Sequence, residues 1–163
     1  MLQLCASSLD DTYSIAAALA AVSRRGDLIV LAGEMGAGKT AFAKGFGAAL
    51  GVSEPITSPT FTLVHSYDGP GKLTLHHADI YRLRTQHEVA DLALPELLDS
   101  GIVLLEWGDV VATSLGEHLL VVLEADLDAP DGEDFRRIVI SGTGRSWAAR
   151  WERIGAAVAS YAC

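Results

Sequence analysis

Asparagine is missing altogether from this 163-residue chain, and basic residues are scarce. Without asparagine there is no N-K-x-D, the motif by which many GTPases read guanine, so a nucleotide site here is expected to take ATP. Twelve Lys and Arg stand against 21 Asp and Glu, a formal net charge of −9. Nucleic-acid backbones reward basic surface, so this balance disfavours a direct nucleic-acid binder. Arg136 and Arg137 are adjacent, while Arg145, Arg150 and Arg153 are spaced like a solvated helix face. No run approaches the roughly 18 continuous apolar residues of a membrane span. The start of the chain lacks the basic-then-apolar order of a secretion signal, so a cytoplasmic protein is expected. Cysteine occurs only at Cys5 and Cys163, which make neither a metal pattern nor a disulfide framework and suit a reducing cytosol. No G-x-S-x-G is present, and no cysteine stands near a histidine as a nucleophile pair.

What the chain does have is Gly33-Glu34-Met35-Gly36-Ala37-Gly38-Lys39-Thr40, which fits the phosphate-binding pattern G-x-x-x-x-G-K-[ST]. Its glycines let backbone N–H groups approach anionic oxygens. Lys39 is placed to reach β- and γ-phosphates, and the Thr40 hydroxyl to ligate Mg²⁺. Context supports it. Asp27 to Ala32 reads as a buried strand. Thr40 to Leu50 reads as a helix with Phe42, Phe46 and Leu50 on one face and Gly51 as its stop. That helix points its positive end at the loop.

The remaining pattern predicts an opening helix from Ser8 to about Arg24 and a hairpin of Phe61–Tyr67 with Lys72–Asp79. A helical region over Gln86–Ser100, broken near Pro95, precedes a strand over Ile102–Glu106. Late strands around Leu119–Glu124 and Arg137–Ser141 flank a turn at Pro130-Asp131-Gly132, and a terminal helix starts near Ser146. Hairpins and crossovers together predict one α/β domain over residues 1–163: a P-loop NTPase-like, three-layer arrangement with a mixed parallel/antiparallel central sheet.

A phosphate loop needs a carboxylate at the end of a buried strand to hold Mg²⁺ or its waters. Asp79 and Glu106 both stand at such ends. His76, His77, Asp79 and His87 do not make a metal cluster, because adjacent histidines on a strand point to opposite faces. These residues alone leave three readings open: an ATPase, a small-molecule kinase, and a non-catalytic nucleotide sensor.

Five blocks in order resemble the bacterial TsaE family, small ATPases of tRNA threonylcarbamoyladenosine biosynthesis. They are the phosphate loop, Ser58-Pro59-Thr60-Phe61-Thr62-Leu63-Val64, His77-Ala78-Asp79-Ile80-Tyr81-Arg82-Leu83, Leu94-Pro95-Glu96 and Leu105-Glu106-Trp107. The Asp11-Thr12 pair resembles the family's opening E-E-T. The resemblance implies ATP and Mg²⁺ as cofactors, a TsaB–TsaD-type protein complex as partner, and tRNA reached only indirectly, with no membrane. It implies phosphate contacts from Gly36, Ala37, Gly38, Lys39 and Thr40, with Gly33, Met35 and Ala41 also at the nucleotide. Thr40 and Glu106 would ligate Mg²⁺, with Asp79 at the metal or the attacking water. Lys39, Asp79 and Glu106 would form the catalytic set. Thr60 would sense the γ-phosphate, Trp107 would pack beside the nucleotide, and Leu9, Thr12 and Arg136 would lie around adenine. Arg82 admits two roles, transition-state stabiliser or structural ion pair.

Overall fold

Two strands, β2 (Leu28–Ala32) and β5 (Gly101–Glu106), are buried at every position. Near-continuous apolar strands of this kind are covered on both faces, which parallel pairing with crossover helices achieves. In the computed structural model β2 runs parallel to β5 and to β6 (His118–Ala125), and β5 runs parallel to β4 (Thr74–Asp79). The structure describes residues 1–59, 63–81, 83, 85–107, 114–126, 132 and 134–163.

Antiparallel strands finish both edges. β7 (Arg136–Thr143) pairs with β6, β1 (Leu2–Ala6) pairs with β7, and β3 (Val64–Asp68) pairs with β4. The order across the sheet is β1-β7-β6-β2-β5-β4-β3, the mixed sheet expected. The strand over Ile102–Glu106, the hairpin and the two late strands are all found. The turn at Pro130-Asp131 lies outside the described residues.

Alternation along the strands splits the core in two. Ile29, Leu31, Ile102 and Leu104 face α1 (Leu9–Val22), α2 (Lys39–Ala49) and the C-terminal helices α5 (Arg145–Ala148) and α6 (Trp151–Ala157). Leu28, Val30, Val103 and Leu105 face α3 (Gln86–Ala90) and α4 (Leu94–Ser100). Three layers result. Phe42 and Phe46 anchor α2, their ring centroids 6.4 Å apart; full burial of such a side chain contributes about 1.5–3 kcal/mol. Gly45 lies on the same helix where a Cβ would stand 2.7 Å from Tyr13 Cα. The glycine, worth about 1 kcal/mol less than alanine in a helix, lets α1 and α2 meet backbone to backbone.

Three expectations need correction. The region from Ser146 is two short helices, since Ala149 and Arg150 separate α5 from α6. Arg150 is not part of a solvated face: its guanidinium makes a bidentate pair with buried Asp27, 2.7 Å on each arm, and lies 4.2 Å from the Trp147 ring. Arg145 and Arg153 are exposed as expected. Cys5 and Cys163 are not separate thiols but a disulfide. β1, which no local pattern marks, brings Cys5 beside Cys163, where Leu4 bridges Ala162.

His76 gives a pH prediction. Its Nδ1 lies 2.7 Å from Ser66 Oγ and its Nε2 2.8 Å from Ser100 Oγ. Ser100 donates its own proton to the Leu97 carbonyl, so Nε2 donates to Ser100 and Nδ1 accepts from Ser66. Burial lowers the His76 pKa from 6.5, opposed by a weaker contribution from the Leu97 backbone. A lowered histidine pKa means the unfolded chain binds the proton first as pH falls. Its contribution to stability is therefore full above about pH 6.5 and is lost toward the lowered folded value. Thermal melts of wild type and His76→Gln between pH 8 and 5 are expected to diverge at the alkaline end and converge at the acid end.

Candidate functional site

The loop Gly33–Gly38 joins the C-terminal end of β2 to the start of α2 and holds Gly33, Gly36 and Gly38 at φ of 136°, 83° and 108°. At Gly33 there is a second constraint, because a Cβ would collide with the Leu123 carbonyl oxygen on β6. The left-handed Gly38 ends the loop and opens α2, whose first turn has no side-chain cap. Its orphan N–H groups and the helix dipole form an anion-binding end. Lys39 is 5 % exposed. Its Nζ donates to the carbonyls of Gly33 (2.7 Å) and Glu34 (2.9 Å) and lies 4.0 Å from the Trp107 ring centroid.

The neighbouring strands supply the carboxylates. Parallel register puts Asp79, last in β4, directly opposite Glu106, last in β5. Both are buried. Asp79 Oδ1 accepts from the Tyr81 backbone N–H at 2.8 Å. Burial raises the Asp79 pKa above its usual value and the Glu106 charge adds to this, while the Tyr81 N–H, His77 and Lys39 oppose it. Trp107 follows at φ 64°, a rare conformation for a bulky residue. That backbone turn lays its ring over the Lys39 amine and against Tyr81, 4.9 Å between ring centroids.

One cavity of about 450 Å³ gathers these groups: Met35, Gly36, Gly38, Lys39, Thr40 and Ala41 from the loop and helix, and Asp79, Glu106 and Trp107 from the strand ends. Ser58 and Tyr81 complete its lining. A second cavity of about 920 Å³ lies against the same loop, with Gly33, Ala37 and Arg136 in its wall. Arg136 Nε donates to the Ala37 carbonyl at 2.9 Å, which ties β7 to the loop.

The Thr40 hydroxyl and the Asp79 and Glu106 carboxylates all line this cavity, and oxygen donors of this kind suit a hard cation. Among the described residues no group of three or more His, Cys, Asp or Glu side chains is arranged to hold a metal. The two carboxylates suit Mg²⁺, which takes one or two of them with waters and phosphate oxygens. The two adjacent histidines divide as expected, His76 to the serines and His77 to Glu106. Among the described residues no helix is long and apolar enough to cross a membrane.

A family model described as "Threonylcarbamoyl adenosine biosynthesis protein TsaE" matches residues 6–137. The chain belongs to the TsaE family. Among TsaE relatives, the Bacillus subtilis tRNA threonylcarbamoyladenosine biosynthesis protein TsaE is 36 % identical over 140 residues, covering 85 % of this chain and 84 % of that protein. The Mycobacterium tuberculosis TsaE is 42 % identical over 127 residues, 71 % of this chain and 74 % of that one. The crystal structure of Bacillus subtilis YdiB superposes with a TM-score of 0.76 at 30 % identity, covering 95 % and 94 % of the two chains.

Against this TsaE frame the expected site residues fall into three groups. Met35, Gly36, Gly38, Lys39, Thr40, Ala41, Asp79, Glu106 and Trp107 meet at the first cavity, while Gly33, Ala37 and Arg136 meet at the second. Leu9 and Thr12 line neither. Leu9 opens α1 at 42 % exposure, and Thr12 is buried with its hydroxyl toward the Ser8 carbonyl. Thr60 and Arg82 lie outside the described residues. Ser58 and Tyr81, not among the expected site residues, also line the first cavity, and His77 contacts Glu106 from below it. His77 and Asp79 share strand parity with each other and, through the register, with Glu106, a signal that needs the pairing of β4 with β5 to be seen.

Proposed function

We propose that the chain acts as one Mg²⁺-dependent ATPase domain in tRNA threonylcarbamoyladenosine biosynthesis. It acts on a TsaB–TsaD-type complex in the cytoplasm and reaches tRNA only through that complex. The observation that carries the reading is the convergence of Lys39, Thr40, Asp79 and Glu106 on one cavity in a TsaE-family chain. The net charge of −9 suits docking on a protein that itself holds the tRNA.

The residues divide the work. The uncapped first turn of α2 and the loop N–H groups cradle the phosphates. Lys39, released from the Gly33 and Glu34 carbonyls, offsets charge on the β- and γ-phosphates. Thr40 and Glu106 would hold Mg²⁺, which when bound would supply positive charge against the phosphates. Asp79, fixed by the Tyr81 N–H, orients the attacking water as hydrogen-bond acceptor. Trp107 closes one wall against solvent. The second cavity, with Arg136 in its wall, offers room beside the loop for the rest of the nucleotide.

ATP hydrolysis by the purified chain, alone and with a TsaB–TsaD pair, tests the assignment. Slow turnover alone and a rise of at least ~10-fold with the pair are expected, equivalent to about 1.4 kcal/mol off the barrier. Bound ATP with no rise would overturn the partner-gated reading and leave a sensor or a kinase.

A further inference from the structure

His77 is fully buried on β4, and its Nε2 lies 2.7 Å from Glu106 Oε1. A carboxylate only accepts, so Nε2 donates. The other ring nitrogen, Nδ1, is buried and has no hydrogen-bond partner among the described residues. An imidazole with one unsatisfied nitrogen is an expensive way to fill a core. Its neighbours at positions 75 and 104, Leu75 and Leu104, are ordinary apolar core residues on the same sheet face. The polar atom that does have a partner therefore carries the meaning, and that partner lies in the candidate site.

We propose that His77 is a positioning residue for ATP hydrolysis: it holds Oε1 of Glu106 and thereby fixes which carboxylate oxygen, Oε2, is presented to the cavity. A glutamate at a strand end has three side-chain torsions to fix, and the sheet backbone fixes none of them. The bond to His77 does so from beneath, because β4 and β5 are in parallel register and both side chains lie on the α2 face. Partners that orient a metal-side ligand in this way typically change metal affinity or activity 10–100-fold when removed. The proposal rests on the reading of Glu106 as the Mg²⁺-side carboxylate.

The test compares His77→Leu, His77→Gln and His77→Asn with Glu106→Gln. Three quantities are measured: the Mg²⁺ concentration for half-maximal turnover, calorimetric affinity for a non-hydrolysable ATP analogue with and without Mg²⁺, and melting temperature. For His77→Leu, turnover at fixed Mg²⁺ is expected to fall ~10–100-fold, and the Mg²⁺-dependent gain in analogue affinity to shrink. Analogue affinity without Mg²⁺ should stay unchanged. His77→Gln, whose amide donates from the Nε2 position, should recover most of the loss; His77→Asn, too short to reach Oε1, should not. The Gln and Asn pair decides the matter even if the leucine variant does not fold. Wild-type Mg²⁺ response in His77→Leu, or Gln and Asn variants equally impaired with melting temperatures falling in step, overturns the proposal. Wild-type turnover in Glu106→Gln overturns the underlying reading of Glu106. An inactive Glu106→Gln beside a wild-type-like His77→Leu overturns the positioning role alone.

Discussion

Lys39→Ala is expected to abolish ATP turnover, by at least ~10³-fold, while leaving the chain folded. Removing one preorganised donor from a charge-developing centre costs about 10²–10³ in rate. Lys39 brings a full charge to a site where it is 5 % exposed, and low exposure strengthens its field on the phosphates. The effect on stability is smaller because two terms oppose. The variant loses two charge-assisted hydrogen bonds, to the Gly33 and Glu34 carbonyls, worth about 1.5–3 kcal/mol each. It also no longer buries an ammonium, whose desolvation cost is several kcal/mol. Single-turnover ATP hydrolysis with a parallel thermal melt checks both halves. Lys39→Arg should fail nearly as badly, since a planar guanidinium fork does not fit where a compact ammonium reaches two carbonyls. Wild-type-like turnover in Lys39→Ala would sink the site assignment.

The part of the molecule around Lys39 was legible because its signals are local. The apolar run of β2, the glycines of the loop and the Phe42–Phe46 spacing of α2 each need only a few consecutive residues to be read. Asp79 and Glu106 were legible for the same reason, as carboxylates ending apolar strands. What stayed hidden depends on pairing across the chain. β1 is five residues at an edge, and its partner β7 begins at Arg136, so no local pattern distinguishes it. The same distance hid the Cys5–Cys163 disulfide and the Arg150–Asp27 pair, which spans 123 positions. The Phe61–Tyr67 strand illustrates a different limit. Alternation predicted its start at Phe61; Phe61 and Thr62 lie outside the described residues, and among those described Leu63 takes φ 63° and pairing with β4 begins at Val64. Periodicity registers side-chain character and is blind to a backbone that turns left-handed within the pattern. Trp107 is the functional counterpart: its place beside Glu106 was evident, but the φ of 64° that folds its ring over Lys39 was not.

Glu106→Gln is the second variant with a large expected effect, a fall in turnover of about 10²–10³ with ATP still bound. The substitution separates charge from shape. Glutamine keeps the volume, and its carbonyl still accepts from His77 Nε2 where Oε1 does now, at 2.7 Å. What disappears is the negative charge facing the cavity, so Mg²⁺ affinity should fall more than nucleotide affinity. Stability should move the other way. Glu106 stands opposite Asp79, and its charge is one of the causes that raise the Asp79 pKa. Neutralising it removes repulsion between two buried carboxylates, so a melting temperature equal to or above wild type at pH 7 is expected, the usual sign of a group kept for function. Glu106→Ala makes the contrast. It removes the charge too, but leaves His77 with neither ring nitrogen bonded, an unsatisfied buried donor worth about 1–3 kcal/mol. Both variants should therefore be inactive, and only the alanine variant should melt early. If glutamine also melted early, the His77–Glu106 bond would draw its strength from charge, and relief of repulsion from Asp79 would be the lesser effect.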